Sequence, residues 1–170
     1  MTVTEAIKTR YSVRSYKNEP ISREVLDEII MAASHAPTAC NKHPERIFII
    51  ESAETLAALD AVRPLFGAPM AAVICYDTEI EWKNKRMGGK GSGETDAAIV
   101  TTHMMLAAWE RGIGSCWLGA FDGAAVAELL GLDSRLAVSA ILTLGYPAED
   151  SEPHPMHFDN SAALGTVSYI

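Results

Sequence analysis

Arg10, Ser12 and Arg14 occupy alternate positions directly after a short helical pattern, and in an extended stretch that alternation turns all three side chains to one face. Two guanidiniums and a hydroxyl on one face are forked donors suited to phosphate oxygens, each charged hydrogen bond contributing about 1.5–3 kcal/mol. The competing reading is a solvated run of charge. A second candidate is Pro37-Thr38-Ala39-Cys40-Asn41-Lys42-His43-Pro44, whose two prolines fix φ at both ends and stiffen the segment. A stiff loop carrying Thr, Asn and His either lines a ligand pocket or simply joins a helix to a strand. Cys40 with His43 does not amount to a zinc site, because no second ligand pair has zinc spacing and His154 and His157 lie among prolines near the end.

Several other chemistries lack their residues. Gly112-Ile113-Gly114 and Gly119 lead from a helix into a strand, whereas a dinucleotide fingerprint leads from strand into helix. The Gly88–Gly93 stretch does not match a phosphate loop, and there is neither a Gly-x-Ser-x-Gly elbow nor a nucleophile paired with a base. With so few convergent acids and bases, any chemistry has to come from a cofactor.

The elements that must position these residues are marked by their caps. Thr2-Val3-Thr4-Glu5 has capping-box spacing and predicts a helix over 3–9. Ser22 opens a second helix, with Val25, Leu26, Ile29, Ile30 and Ala33 at helical spacing, which ends before Pro37. Residues 46–50 read as a strand, Ser52 starts a helix that stops near Pro64, and residues 71–76 read as a central strand. Lys83 to Gly93 has no periodicity, and five of its last six residues are Gly or Ser, so it reads as a mobile loop. Residues 96–111 predict a long helix, apolar nearly all round and buried on every side, with Gly112 just past its end. Strands at 114–118 and 138–145 flank a helix capped by Asp122, and 166–170 read as a last strand. Without a strict βαβ rhythm, the pattern predicts one α+β domain over 1–170, with a mixed or mostly antiparallel sheet between helices. A domain rarely buries a whole helix, so one face of 96–111, centred on His103, Met104, Met105, Leu106 and Trp109, is expected against a second chain; a central core helix is the alternative.

Composition narrows the function classes. The chain has 170 residues, 48% hydrophobic, with 14 Lys and Arg against 22 Asp and Glu for a net charge of −8. That balance argues against a nucleic-acid binder. No apolar run reaches the roughly 20 residues of a membrane span. Three cysteines without paired spacing fit a reducing compartment, and the expected location is the cytoplasm. Positive charge collects at Lys8, Arg10, Arg14 and Lys17 and again at Lys83, Lys85, Arg86 and Lys90, two places for a small anion.

Taken together, Arg10-Tyr-Ser-Val-Arg14, the Ala36–Pro44 loop, Asp96–Ala108, Gly112-Ile-Gly-Ser-Cys-Trp-Leu-Gly119 and Gly145-Tyr-Pro147 resemble the FMN-dependent nitroreductase family in its short form, in order and spacing from about residue 3 to 147. The resemblance implies an intertwined α+β homodimer with two FMN sites at the interface, each lined by both subunits. It implies that Arg10 and Ser12 hold the FMN phosphate, that Tyr11 adds backbone or packing contacts, and that Arg14 reaches the ribityl chain or pyrimidine edge. Pro37, Thr38, Ala39 and Asn41 of the partner would pack against the isoalloxazine, with His43 at its edge. Trp117, Leu118 and Gly119 would lie beside N5 and O4, where glycine admits a flat ring close to the backbone. The implied reaction passes hydride from NAD(P)H through flavin N5 to a nitroaromatic, quinone or similar small electron-poor acceptor. Two departures stand out. His43-Pro44-Glu45 replaces the family's usual Gln-Pro-Trp, and no basic residue follows Gly145-Tyr-Pro147, so His154 and His157 are the stand-ins at the phosphate. Two alternatives remain: a same-fold reductive dehalogenase or flavin-modifying enzyme, and a structural or regulatory dimer without cofactor.

Overall fold

The computed structural model describes residues 1–159. Its centre is a four-stranded sheet in the order β1-β2-β6-β5, built from β1 (Glu45–Ile50), β2 (Met70–Asp77), β5 (Gly114–Leu118) and β6 (Leu136–Gly145), with every pairing antiparallel. Strand alternation divides the apolar residues into two layers. Met70, Ala72, Ile74, Ala140, Leu142 and Leu144 face α2 (Arg23–Ser34) and α4 (Gly93–Glu110). Ala71, Val73, Cys75, Cys116, Leu118 and Ile141 face the layer of α3 (Ala53–Val62) and α5 (Gly123–Leu129). The fold is the expected α+β sandwich, and its four strands pair antiparallel throughout.

Helix ends follow the local chemistry. The α1 helix (Val3–Thr9) starts at a complete Thr2/Glu5 capping box, while Ser22, Ser52 and Asp122 each accept a backbone N–H of the helix they open. Gly112 takes φ +75°, and the next amide, of Ile113, bonds to the Ala108 carbonyl, closing α4.

Three expectations change. The 83–93 segment is not an open loop: β3 (Lys83–Asn84) and β4 (Lys90–Gly91) pair as a hairpin around a 3₁₀ turn at Lys85–Met87 and two glycines at positive φ, and two-residue strands are too short to leave any alternation in the sequence. The α4 helix starts at Gly93 rather than 96 and is not buried all round. Ala97, Val100, Thr101, Met104 and Ala108 point inward, whereas His103, Leu106 and Ala107 line an open groove with Thr2, Val3, Ala6, Ala32 and Glu110. Met104 therefore belongs to the chain's own core, while half-buried Trp109 packs on Tyr11 and donates to Thr9 Oγ1 at 2.9 Å. The strand expected at 166–170 lies outside the described residues.

Candidate functional site

The Arg10–Lys17 segment runs along the outer edge of β5. Ser12 bridges Ser115 in parallel, the Val13 amide donates to the Ser115 carbonyl at 2.9 Å, and Tyr16 bridges Pro147. Val13 is fully buried while Arg14 is exposed, which is the alternation that presents Arg10, Ser12 and Arg14 on the opposite face. Gly114 makes this close approach possible, since a Cβ there would lie 2.6 Å from Val13 Cγ2. Beneath the segment, the Tyr16 hydroxyl sits 2.6 Å from Thr143 Oγ1, and the Cys116 amide donates to the same oxygen at 3.0 Å. Burial pushes the Tyr16 phenol up strongly, so it remains a neutral strut.

This end of the site is cationic. The Cys116 thiol is pushed up by burial, against the pull of Arg14, Ser12 and Arg63. Arg63 follows α3, and its buried Nε has no hydrogen-bond partner; Arg14 lies with its guanidinium 6.0 Å from the Phe66 ring centre. Among the described residues none of Arg10, Arg14 and Arg63 forms an ion pair, although the chain carries eight more acids than bases. Arg63 was not singled out in sequence, where an arginine closing an otherwise Ala- and Leu-rich helix just before Pro64 was its only signal.

The 37–43 loop lies elsewhere, at the start of β1. Buried Asp96, in the first turn of α4, accepts the Ala39 amide at 2.9 Å through Oδ1 and the Ser92 hydroxyl at 2.8 Å through Oδ2. Thr38 Oγ1 accepts the His43 amide at 3.1 Å. These ties hold Cys40, Asn41 and His43 at φ of 51°, 54° and 46°, a left-handed conformation that costs residues with a Cβ about 1–3 kcal/mol each. The His43 ring is set between Glu45 Oε1 and Asn41 Oδ1, each at 3.1 Å, and the buried Glu45 Oε2 has no partner. Glu45 thus sets a carboxylate against the histidine and orients it.

Trp117 is half-buried against the α4 side, and the Leu118 side chain is in the α3/α5 core, so Leu118 offers a ligand its backbone alone. Gly119 is exposed, and a Cβ built on it would meet nothing within 4 Å, leaving its backbone open to a flat group. Tyr11 is used by the fold: it packs edge-on to Trp109 and donates to the Ser151 carbonyl at 3.0 Å, which with the Ser15–Asp150 contact lays the start of the tail beside Arg10–Arg14. The His154 ring accepts the Met156 amide at 3.3 Å through Nδ1 and so caps the Pro155–Phe158 turn; His157 is half-buried within that turn.

The predicted residues therefore form two groups on one chain. Pro37–His43 belong to the β1 edge and Arg10–Arg14 to the β5 edge, with β2 and β6 between them, three strand spacings or about 14 Å. The unpaired guanidiniums, the orphaned Arg63 Nε and the open Gly119 backbone fit an anionic, planar group such as FMN, which would take its donors from the β5 edge. Among the described residues, no helix is long and apolar enough to cross a membrane and no cluster of three His, Cys, Asp or Glu is placed for a metal.

The model of the Nitroreductase family matches residues 7–65 and 61–146. Among solved structures, the chain is similar to a nitroreductase family protein from Clostridium difficile 630, with a TM-score of 0.90 and 31% identity over 99% of this chain and 98% of that one. It is also similar to an FMN-dependent nitroreductase from C. difficile R20291, with a TM-score of 0.81 and 27% identity over 98% of each chain. A curated relative, the FMN reductase [NAD(P)H] of Bacillus subtilis, is 28% identical over 90% of this chain and 69% of its own length.

Proposed function

Because the chain belongs to the Nitroreductase family, we propose that it is an FMN-dependent oxidoreductase, taking hydride from NAD(P)H and delivering it to a nitroaromatic, quinone or similar electron-poor acceptor. The observation that carries this reading is the uncompensated positive charge of Arg10, Arg14 and Arg63 around Ser12 on an acidic chain. When bound, FMN supplies the hydride-accepting and hydride-donating atom.

The chain's own residues bind and position. Arg10 and Ser12 would hold the phosphate, and Arg14 with Arg63 would set positive charge beside the bound group. Backbone at Trp117–Gly119 would lie against the flat ring, and the open Gly119 would leave room for a substrate to stack. Binding order and alignment then carry the catalysis, with the proton drawn from solvent.

The separation of the two groups supports a homodimer in which the 37–43 loop of one subunit completes the β5 edge of the other. The groove between α1, α2 and α4 supplies an apolar face for that contact, since Val3, Ile7 and Met31 around it are all more than half exposed in the single chain. Three free cysteines fit the reducing cytoplasm. Purified protein should be a yellow dimer that releases FMN on denaturation, identified by mass spectrometry, and should oxidise NAD(P)H with nitroaromatic or quinone acceptors. A colourless protein that takes up no added FMN overturns the reading and leaves the structural-dimer alternative.

A further inference from the structure

The densest positive charge outside the described site is on the β3–β4 hairpin, where Lys83, Lys85, Arg86 and Lys90 fall within eight residues. The acid beneath them, Glu81, is already engaged: Oε1 lies 3.6 Å from Lys83 Nζ, and Oε2 accepts the Gly93 amide at 2.8 Å. Lys85, Arg86 and Lys90 are exposed and have no ion pair among the described residues. The hairpin holds these like charges together. Asn84 Oδ1 accepts the Arg86 amide at 3.1 Å, the Asn84 carbonyl accepts the Gly89 amide at 2.9 Å, and the Glu81 carboxylate lies against Gly91. Crowded cations of this kind repel one another until an anion binds between them. Beside them opens a cavity of about 420 Å³ lined by Trp82, Lys83, Asn84, Lys85 and Arg86. It therefore combines one aromatic face with several phosphate donors.

We propose that this cavity binds the 2′-phosphoadenosine end of NADPH, with adenine against Trp82 and the 2′-phosphate on Lys85 and Arg86, so that the enzyme takes NADPH in preference to NADH. Bases stack on an aromatic side chain whatever their identity, and a forked guanidinium matches a phosphate dianion. The position suits a long dinucleotide. Ser92, at the exit of the hairpin, and Ala39, in the 37–43 loop, are both bonded to Asp96. The hairpin is therefore anchored beside the loop that forms the flavin wall under the proposed function, on which this inference rests.

The test uses the flavin-loaded dimer and a Lys85→Ala/Arg86→Ala double variant, whose exposed side chains leave the core untouched. Wild type should show a higher kcat/KM with NADPH than with NADH, and the variant should lower the NADPH-to-NADH ratio about tenfold or more, the equivalent of one charged hydrogen bond. Independently of turnover, calorimetry should detect 2′,5′-ADP binding to wild type, with weaker binding of 5′-AMP and of either nucleotide to the variant. An unchanged ratio, no preference in wild type, or equal binding of the two nucleotides overturns the proposal. The two readings fail differently: NADH oxidation without 2′,5′-ADP binding sinks the hairpin site alone, whereas nucleotide binding by a protein that oxidises neither coenzyme sinks the proposed function and leaves the site.

Discussion

Asp96→Ala tests how the 37–43 loop is held. The carboxylate accepts one backbone and one hydroxyl hydrogen bond, at 2.9 and 2.8 Å, and is only 2% exposed. Bonds to a charged acceptor contribute about 1.5–3 kcal/mol each, and an acid in the first turn of a helix adds about 0.3–1 kcal/mol. Ser92 is half-exposed and regains water in the variant, so the lower half of that sum, about 3 kcal/mol, is the expected loss. For a chain of this size that loss lowers Tm by about 6–12 °C. Asp96→Asn keeps an acceptor for Ala39 but not the charge, and should lose about half as much. The assay is urea unfolding at one fixed protomer concentration, because association adds to apparent stability, with an unchanged m-value expected. Hydrogen exchange at Ala39 reads the bond itself. Asp96→Ala within about 0.5 kcal/mol of wild type, or unchanged protection at Ala39, refutes the reasoning.

Gly114→Ala should push Val13, and with it Ser12 and Arg14, off β5, costing about 1–3 kcal/mol and lowering the fraction of purified protein that carries flavin; full occupancy would show that the segment's position does not matter. Leu106→Arg puts a charge into the α4 groove and should yield monomers by sedimentation, with flavin lost in proportion, whereas an intact dimer places the interface elsewhere. Burial lifts the Cys75 thiol from its ordinary 9 to about 11 and pushes Tyr16 and Cys116 up as well. The folded state holds these protons more tightly than the unfolded one. The contribution of Cys75 is therefore complete below about pH 9 and is lost as pH rises toward about 11, amounting to about 1–3 kcal/mol on unfolding midpoints. A flat profile across that window would contradict the burial. A thiol reagent should label Cys40 in the native protein and reach Cys75 and Cys116 only on unfolding.

Local grammar made much of the fold legible. Thr2, Ser22, Ser52 and Asp122 announce their helices because a cap is a contact between near neighbours, and Gly112 announces an end because only glycine takes its φ cheaply. The orientation of α4 was not legible. Its sequence is apolar on both sides, so periodicity could not tell Met104, which packs inside its own chain, from Leu106, which faces the groove. The roles of Asp96 and Arg63 were invisible for a related reason: Asp96 meets an amide 57 residues away, and Arg63 follows α3, in the other layer of the sandwich.

The same geometry explains why the site is split. Under the proposed function, a chain that holds Arg10 and Ser12 beside β5 and its stiff loop on β1 does not bring both to one small pocket, because β2 and β6 lie between them. The strained φ values at Cys40, Asn41 and His43 are then hard to explain by the needs of one chain, since an unstrained connector would join α2 to β1 equally well. Their retention, secured by a buried carboxylate, makes sense if the loop's shape is set by what it meets on a second copy. On that view dimerisation and flavin binding are one event, and Leu106→Arg should remove both together, although it lies on neither half of the site.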